Sequence, residues 1–175
     1  MIRGKLVELR AQVEGPIVGR AGCASGGDIL FHEVCDELDI PTMVLLAGPR
    51  ADYVRESVQD GGPEWVRRCD AILESRGDHR RELTPDLQPP RWLRNVEIVS
   101  ASGKKEPFNV WQHNNLWTLH TALALGGDRV VLIALWNGAA GDGAGGTEHM
   151  VAEVKKRGGR AEVLDARRLS EAHNA

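Results

Sequence analysis

Two continuous apolar runs constrain this chain more than any other feature. Thr42-Met43-Val44-Leu45-Leu46-Ala47 is bounded by Pro41 and Gly48, and residues 129–136 read Arg-Val-Val-Leu-Ile-Ala-Leu-Trp. Neither run alternates apolar with polar residues, so neither suits a strand with one wet face. Both have the length and content of parallel strands covered on both sides. Parallel strands need long crossovers, usually helical, and helical patterns flank both runs.

Ile2, Leu6, Leu9 and Val13 recur at helical spacing, so the chain is expected to open on an amphipathic helix over 2–13. Pro16–Gly19 reads as a short strand, and 28–38 as a helix with Ile29, Leu30, Val34 and Leu38 on one face. Two short helices are expected over 52–58 and 63–73, with Pro63 suited to a first turn. The polar stretch 75–95, interrupted by Pro85, Pro89 and Pro90, reads as a mobile loop or lid. A strand is expected over 96–99, the longest helix over 107–125 with Trp111, Leu116, Leu119 and Leu123 inward, and a strand over 129–136. A helix over 146–157, a strand over 161–164 and a solvated tail over 166–175 complete the pattern. Alternating strands and helices predict a single α/β domain with a Rossmann-like, doubly wound, mainly parallel sheet. The initial helix stands where such a sheet ordinarily has a strand, so the sheet is expected to be one member short. A second copy, or the rest of a larger multidomain protein, would supply that member.

Composition removes several function classes. The chain has 22 basic and 25 acidic residues, a net charge of −3, which leaves no positive excess for general nucleic-acid binding. Cys23, Cys35 and Cys69 are odd in number and lack CxxC spacing, which fits reduced cytosolic thiols better than a disulfide framework or a zinc knuckle. No apolar run approaches the roughly 20 residues that span a bilayer, and the first residues lack signal-peptide order. The expected setting is the cytoplasm, away from membranes.

The chemistry is expected where loops leave the carboxyl ends of parallel strands and meet helix N-termini, whose free N–H groups favour anions. Gly22-Cys23-Ala24-Ser25-Gly26-Gly27-Asp28 is one such loop: its backbone admits close approach, and Ser25 offers a hydroxyl. Asp28 reads equally as an acceptor for a ribose hydroxyl and as a helix cap. The second loop, 136–147, has glycines at 138, 141, 143, 145 and 146, as a phosphate cradle requires. No GK[ST] follows, so it is not a Walker A loop. Gly141-x-Gly143-x-x-Gly146 matches the dinucleotide fingerprint formally, with Asp165 at the spacing of a ribose-binding acid, but Asn137 to Ala140 intervene between strand and first glycine. Asn114 and Asn115 sit between Trp111 and Trp117, and Asn115 is the one expected to reach a ligand. Trp136, ending the strongest strand, is placed to stack on a base. His113 and His120 have no acid or cysteine beside them in the sequence, so a metal site is not expected. Cys23 has no evident base to activate it.

Three segments together carry a resemblance: Gly26-Gly27-Asp28-Ile29-Leu30-Phe31-His32-Glu33, Asn114-Asn115-Leu116-Trp117, and Trp136-Asn137-Gly138 followed by residues 141–150, Gly-Asp-Gly-Ala-Gly-Gly-Thr-Glu-His-Met. The chain resembles a Rossmann-like, SLOG-like domain found beside tetratricopeptide repeats or cyclase modules in bacterial signalling proteins. More distantly, it is similar to the superfamily of the lysine-decarboxylase-like phosphoribohydrolases and the DNA-processing protein DprA. The resemblance spans most of residues 16–165 and implies a nucleotide or nucleotide-sugar ligand, with no cofactor required. The phosphoribohydrolase pattern places a catalytic glutamate three residues after the threonine of PGGxGT; here Met150 stands at that position, and methionine neither protonates a leaving base nor stabilises a glycosyl cation. The expected function is therefore nucleotide binding by a sensor or regulatory domain. Ser25, Gly26, Gly27, Asp28, Asn115, Trp136, Asp142, Gly143, Gly145, Gly146 and Thr147 would line the site. The alternatives are an N-glycosidic hydrolase or transferase using Glu33 or Glu148, and a protein-interaction module whose glycine loops are empty.

Overall fold

The computed structural model describes residues 1–99, 103, 105–138 and 146–167. The protein is a mixed α/β chain with small parallel sheets, grouped into two compact units, Met1–Gln88 and Pro89–Ala175.

The first unit opens on α1 (Ile2–Gln12), which buries Ile2, Leu6 and Leu9 and packs on α2 (Gly27–Glu37). β1 (Gly19–Ala21), β2 (Thr42–Leu46) and β3 (Arg80–Glu82) form a parallel sheet in the order β1-β2-β3, with α3 (Arg50–Ser57) and α4 (Pro63–Arg76) between the last two strands. The register fixes which face each helix covers. Gly19 lies beside Thr42, and neighbours in a parallel pair point to the same side. A side chain at Gly19 would strike the Phe31 ring of α2 at 2.7 Å, while the Thr42 hydroxyl bonds both His32 of α2 and Arg76 of α4. Both helices therefore cover one face. Sequential strand order with the crossover helices on one side is a singly wound βαβαβ unit, and no reversal of strand order occurs among its described strands.

The expected strand over 16–19 is displaced: Gly19 begins the observed strand. The expected loop over 75–95 needs correction. α4 extends to Arg76, and β3 joins the sheet beside β2, followed by Thr84, which is buried with its hydroxyl donating to the Ala47 carbonyl at 2.7 Å. Arg80-Arg81-Glu82 carries no apolar signal; this edge strand is held by backbone pairing to β2 and by the Arg80 guanidinium, which donates to the Leu73 carbonyl at 3.4 Å.

In the second unit, β4 (Glu97–Val99) pairs antiparallel with β5 (Lys105–Pro107), a strand the sequence did not suggest. Pro107 ends that strand rather than starting a helix. α5 (Val110–Leu123) begins at a capping box: the Asn109 side chain accepts from the Gln112 N–H at 2.9 Å, and Gln112 Oε1 accepts from the Asn109 N–H at 3.1 Å. Its buried residues are Val110, Gln112, Asn114 and Leu119, so of the expected inward face only Leu119 is fully buried. β6 (Val131–Trp136) and β7 (Arg160–Asp165) pair in parallel over six residues, joined by α6 (Thr147–Lys156), which packs on both strands and on α5. The apolar β6 run is half-buried apart from Ala134, since β7 is its one paired neighbour among the described strands. Among the described residues, no helix is long and apolar enough to cross a membrane.

Gly48 and Gly4 test this packing in opposite directions. A Cβ at Gly48 would lie 2.8 Å from the Leu87 side chain and 3.0 Å from its Cα, so Gly48→Ala is expected to cost about 1–3 kcal/mol. A Cβ at Gly4, inside α1, meets nothing within 4 Å, so Gly4→Ala is expected to stabilise by about 0.5–1 kcal/mol through helix propensity. Urea unfolding of both variants reads the two signs.

Candidate functional site

The loop between β1 and α2 is held from below by three side chains, those of His32, Tyr53 and Asp28, the first two of which the sequence had not singled out. His32, fully buried on α2, spans the helix-covered face of the sheet. Its Nδ1 lies 2.9 Å from Thr42 Oγ1 and its Nε2 2.9 Å from the Gly22 carbonyl oxygen. A carbonyl only accepts, so Nε2 carries the proton and Nδ1 accepts from the Thr42 hydroxyl. That hydroxyl in turn accepts from Arg76 Nε at 2.7 Å, and Arg76 is anchored on Asp36 at 2.7 Å. Every polar atom in this buried chain thus has a defined donor or acceptor role. Burial, with the Arg76 charge nearby, lowers the His32 pKa to about 4, so the ring is neutral at physiological pH.

Tyr53 and Asp28 complete the support. The Cys23 N–H donates to Tyr53 Oη at 3.0 Å, and the Ala24 N–H donates to Asp28 Oδ2 at 3.1 Å. A side chain at Gly22 would come within 2.6 Å of both the Tyr53 hydroxyl and the Asp28 carboxylate, so glycine is required there by space. Burial raises the pKa of both Asp28 and Tyr53. Asp28 is therefore neither an N-cap nor a purely outward-facing acceptor: one of its oxygens folds the loop back on itself.

The upper side of the same loop is different. Gly26 is the N-cap of α2, its φ of 97° is in the region glycine favours, and no side chain caps the helix. A Cβ at Gly26 would meet nothing within 4 Å. The Cβ side of Gly26 thus faces free space, and Gly26 and Gly27 are both half-buried. Ser25 borders them, its N–H donating to the Ser57 carbonyl at 3.0 Å and its Cβ lying 3.0 Å from the Cβ position of Gly61. Trp65 adjoins the same glycine, at 2.9 Å from that position.

Glu33 does not join this opening as a free acid. Both its oxygens are taken by Arg68, at 2.7 and 2.5 Å, in a bidentate pair linking α2 to α4, and the Arg68 guanidinium stacks 4.2 Å above the Trp65 ring.

In the second unit Gly146 caps α6 with extended backbone and no side-chain cap bond, and Thr147 and Glu148 form its first turn. Asp142, Gly143 and Gly145 lie outside the described residues. Trp136 ends β6 directly beside Asp165, which ends β7. The Asp165 carboxylate is engaged by Arg167 through Nε at 2.8 Å and a terminal nitrogen at 2.7 Å. Of the two asparagines on α5, Asn114 is the buried one and Asn115 is half-exposed. Gln112 is fully buried, and its Nε2 has no hydrogen-bond partner among the described residues. No group of three or more histidine, cysteine, aspartate or glutamate side chains is arranged for a metal among the described residues.

His32, Tyr53, Trp65 and Arg68 were missed as site residues. His32 was the most accessible of them: it falls between Ile29 and Cys35 at three-residue spacing, a polar residue inside a buried helical stripe. Tyr53 is the only tyrosine in the chain, but nothing in sequence links it to Cys23 thirty positions earlier. The chain matches no protein-family model, and neither the curated proteins nor the solved structures give a significant match.

The His32 chain has a pH signature. Its folded-state pKa is depressed to about 4 from 6.5, so between those values the unfolded chain binds the extra proton. Stability is therefore full above pH 6.5 and falls as pH drops toward 4, by about 3 kcal/mol in all. His113 and His149 shift in the same direction, and Asp28, raised by burial, acts in the opposite sense. Unfolding curves from pH 7.5 to 4 are expected to show a steeper loss for the wild type than for His32→Gln, in which the other groups are unchanged.

Proposed function

We propose that this chain is a Rossmann-like sensor or regulatory domain that binds a nucleotide or nucleotide-derived ligand, with phosphate oxygens accepting from backbone N–H groups of the glycine loops. The observation that carries this reading is the two-sided β1–α2 loop. Its lower side is fixed by His32, Tyr53 and Asp28, while its upper side presents an uncapped helix N-terminus through Gly26 and Gly27, with Ser25 at the rim. Rigid support beneath an open backbone is what anion recognition at a helix N-terminus requires. In the second unit the start of α6 at Gly146 and Thr147, after the parallel strand β6, is likewise without a side-chain cap. The singly wound βαβαβ of the first unit is also the half-fold from which doubly wound nucleotide-binding sheets are built. In the second unit, Asn115, Trp136, Asp142, Gly143 and Gly145 remain the proposed contacts around that unit's own glycine loop.

Turnover has less support. Of the two glutamates considered for it, Glu33 is held at both oxygens by Arg68, and no observation distinguishes Glu148 from an acid that complements the α6 dipole.

A thermal-shift screen with nucleotides, nucleotide sugars, ADP-ribose and cyclic dinucleotides tests the proposal. A ligand at about 100 times its Kd is expected to add about 2.7 kcal/mol of stability. Gly146→Asp and Ser25→Asp place a carboxylate at each loop. Aspartate suits the extended N-cap backbone at Gly146, so the unliganded melting temperature is expected to hold while the ligand shift is lost. A shift that survives both variants would remove the loops from the site, and no shift with any ligand would overturn the proposal.

A further inference from the structure

We propose that Arg20 of β1 is an anion-binding residue that receives a phosphoryl group of a small-molecule ligand at the carboxyl end of its strand. Every other arginine in the Met1–Gln88 unit reaches a carboxylate or a backbone carbonyl. The Arg20 side chain has neither a hydrogen bond nor an ion pair among the described residues, although it is half-buried and its Nε is enclosed by protein. A guanidinium does not escape this by losing its proton. Charged groups shut away from water are ordinarily paired, so the missing partner of Arg20 is an anion from outside the chain.

The strand register places that anion. Side chains alternate across a sheet, and the Gly19 position points at the Phe31 ring of α2, so Arg20 points to the opposite face, beside Met43 of β2. Leu45 and Arg81 are register partners on that same face, so the neighbouring strands set a second arginine there and no acid. His32 occupies the helix-covered face, and Arg20 takes no part in holding the glycine loop. Only Ala21 separates Arg20 from Gly22, which puts it at the strand end where parallel α/β sheets receive small ligands. With Nε enclosed, Nη1 and Nη2 are the donors left, and their coplanar N–H groups match two oxygens of a phosphoryl group.

The inference does not depend on the glycine loops binding a nucleotide. Inorganic pyrophosphate is titrated into the full-length chain at constant ionic strength, and the arginine Nε–H cross-peaks are followed by nitrogen–proton NMR. The Arg20 cross-peak, assigned by its loss in Arg20→Met, is expected to shift saturably, and to shift in the same way in Ser25→Asp. Arg20→Met removes an unpaired charge and keeps an apolar stem, so its unliganded melting temperature is expected to hold or rise. An Arg20 cross-peak that does not move, or that moves equally with sodium chloride alone, would overturn the proposal. So would a fall in the melting temperature of Arg20→Met, the mark of a structural contact. A shift abolished by Ser25→Asp would place the anion at the glycine loop, overturning this inference while upholding the proposed function.

Discussion

A single buried imidazole ties together the parts of the first unit that matter. His32 accepts from a hydroxyl at the start of β2 and donates to a carbonyl just past the end of β1, so one ring fixes the spacing between two strands and the loop that leaves them. Arg76, at the end of α4, donates to the same hydroxyl and brings the second helix into register. A buried polar group left without a partner costs about 1–3 kcal/mol, and here three groups from three elements satisfy one another. Displacing α2, β2 or α4 separately would orphan at least one of them.

That arrangement decides what the loop offers. With the Gly22 carbonyl held by His32, and the Cys23 and Ala24 N–H groups held by Tyr53 and Asp28, the first half of the loop is committed to the protein interior. The turn completes through Gly26, where a positive φ releases the chain into α2 with its first N–H groups uncapped. The open half exists because the other half is tied down. The Glu33–Arg68–Trp65 stack plays a similar part beside it, locking α2 to α4 with a carboxylate that sequence alone presents as a free acid.

Much of the architecture is visible in the residues. Both apolar runs are parallel strands, the helices over 27–37 and 147–156 lie within a residue or two of the expected bounds, and both glycine loops precede helices. What escapes is held by backbone or by distant partners. β3 is a charged edge strand with no apolar pattern, and β5 ends in a proline that reads as a helix start. On α5 the polar Gln112 and Asn114 are buried in preference to two tryptophans, the reverse of a hydropathy reading. Asp28 was legible as a loop acid, yet its bond to Ala24 depends on a turn that the residue order does not mark. A histidine in a buried stripe announces a structural network, but its partners, Gly22 and Thr42, each ten positions away, carry no local mark.

The central claim is that His32 is neutral, protonated on Nε2 and bonded at both nitrogens. Two-dimensional nitrogen NMR of the imidazole on uniformly labelled protein tests it directly. The account predicts a single Nε2–H tautomer near neutral pH, a slowly exchanging ring proton, and titration only as pH approaches about 4. An Nδ1–H tautomer, a mixture of the two, or titration near the ordinary value of 6.5 would contradict it, and with it the account of how the loop is held.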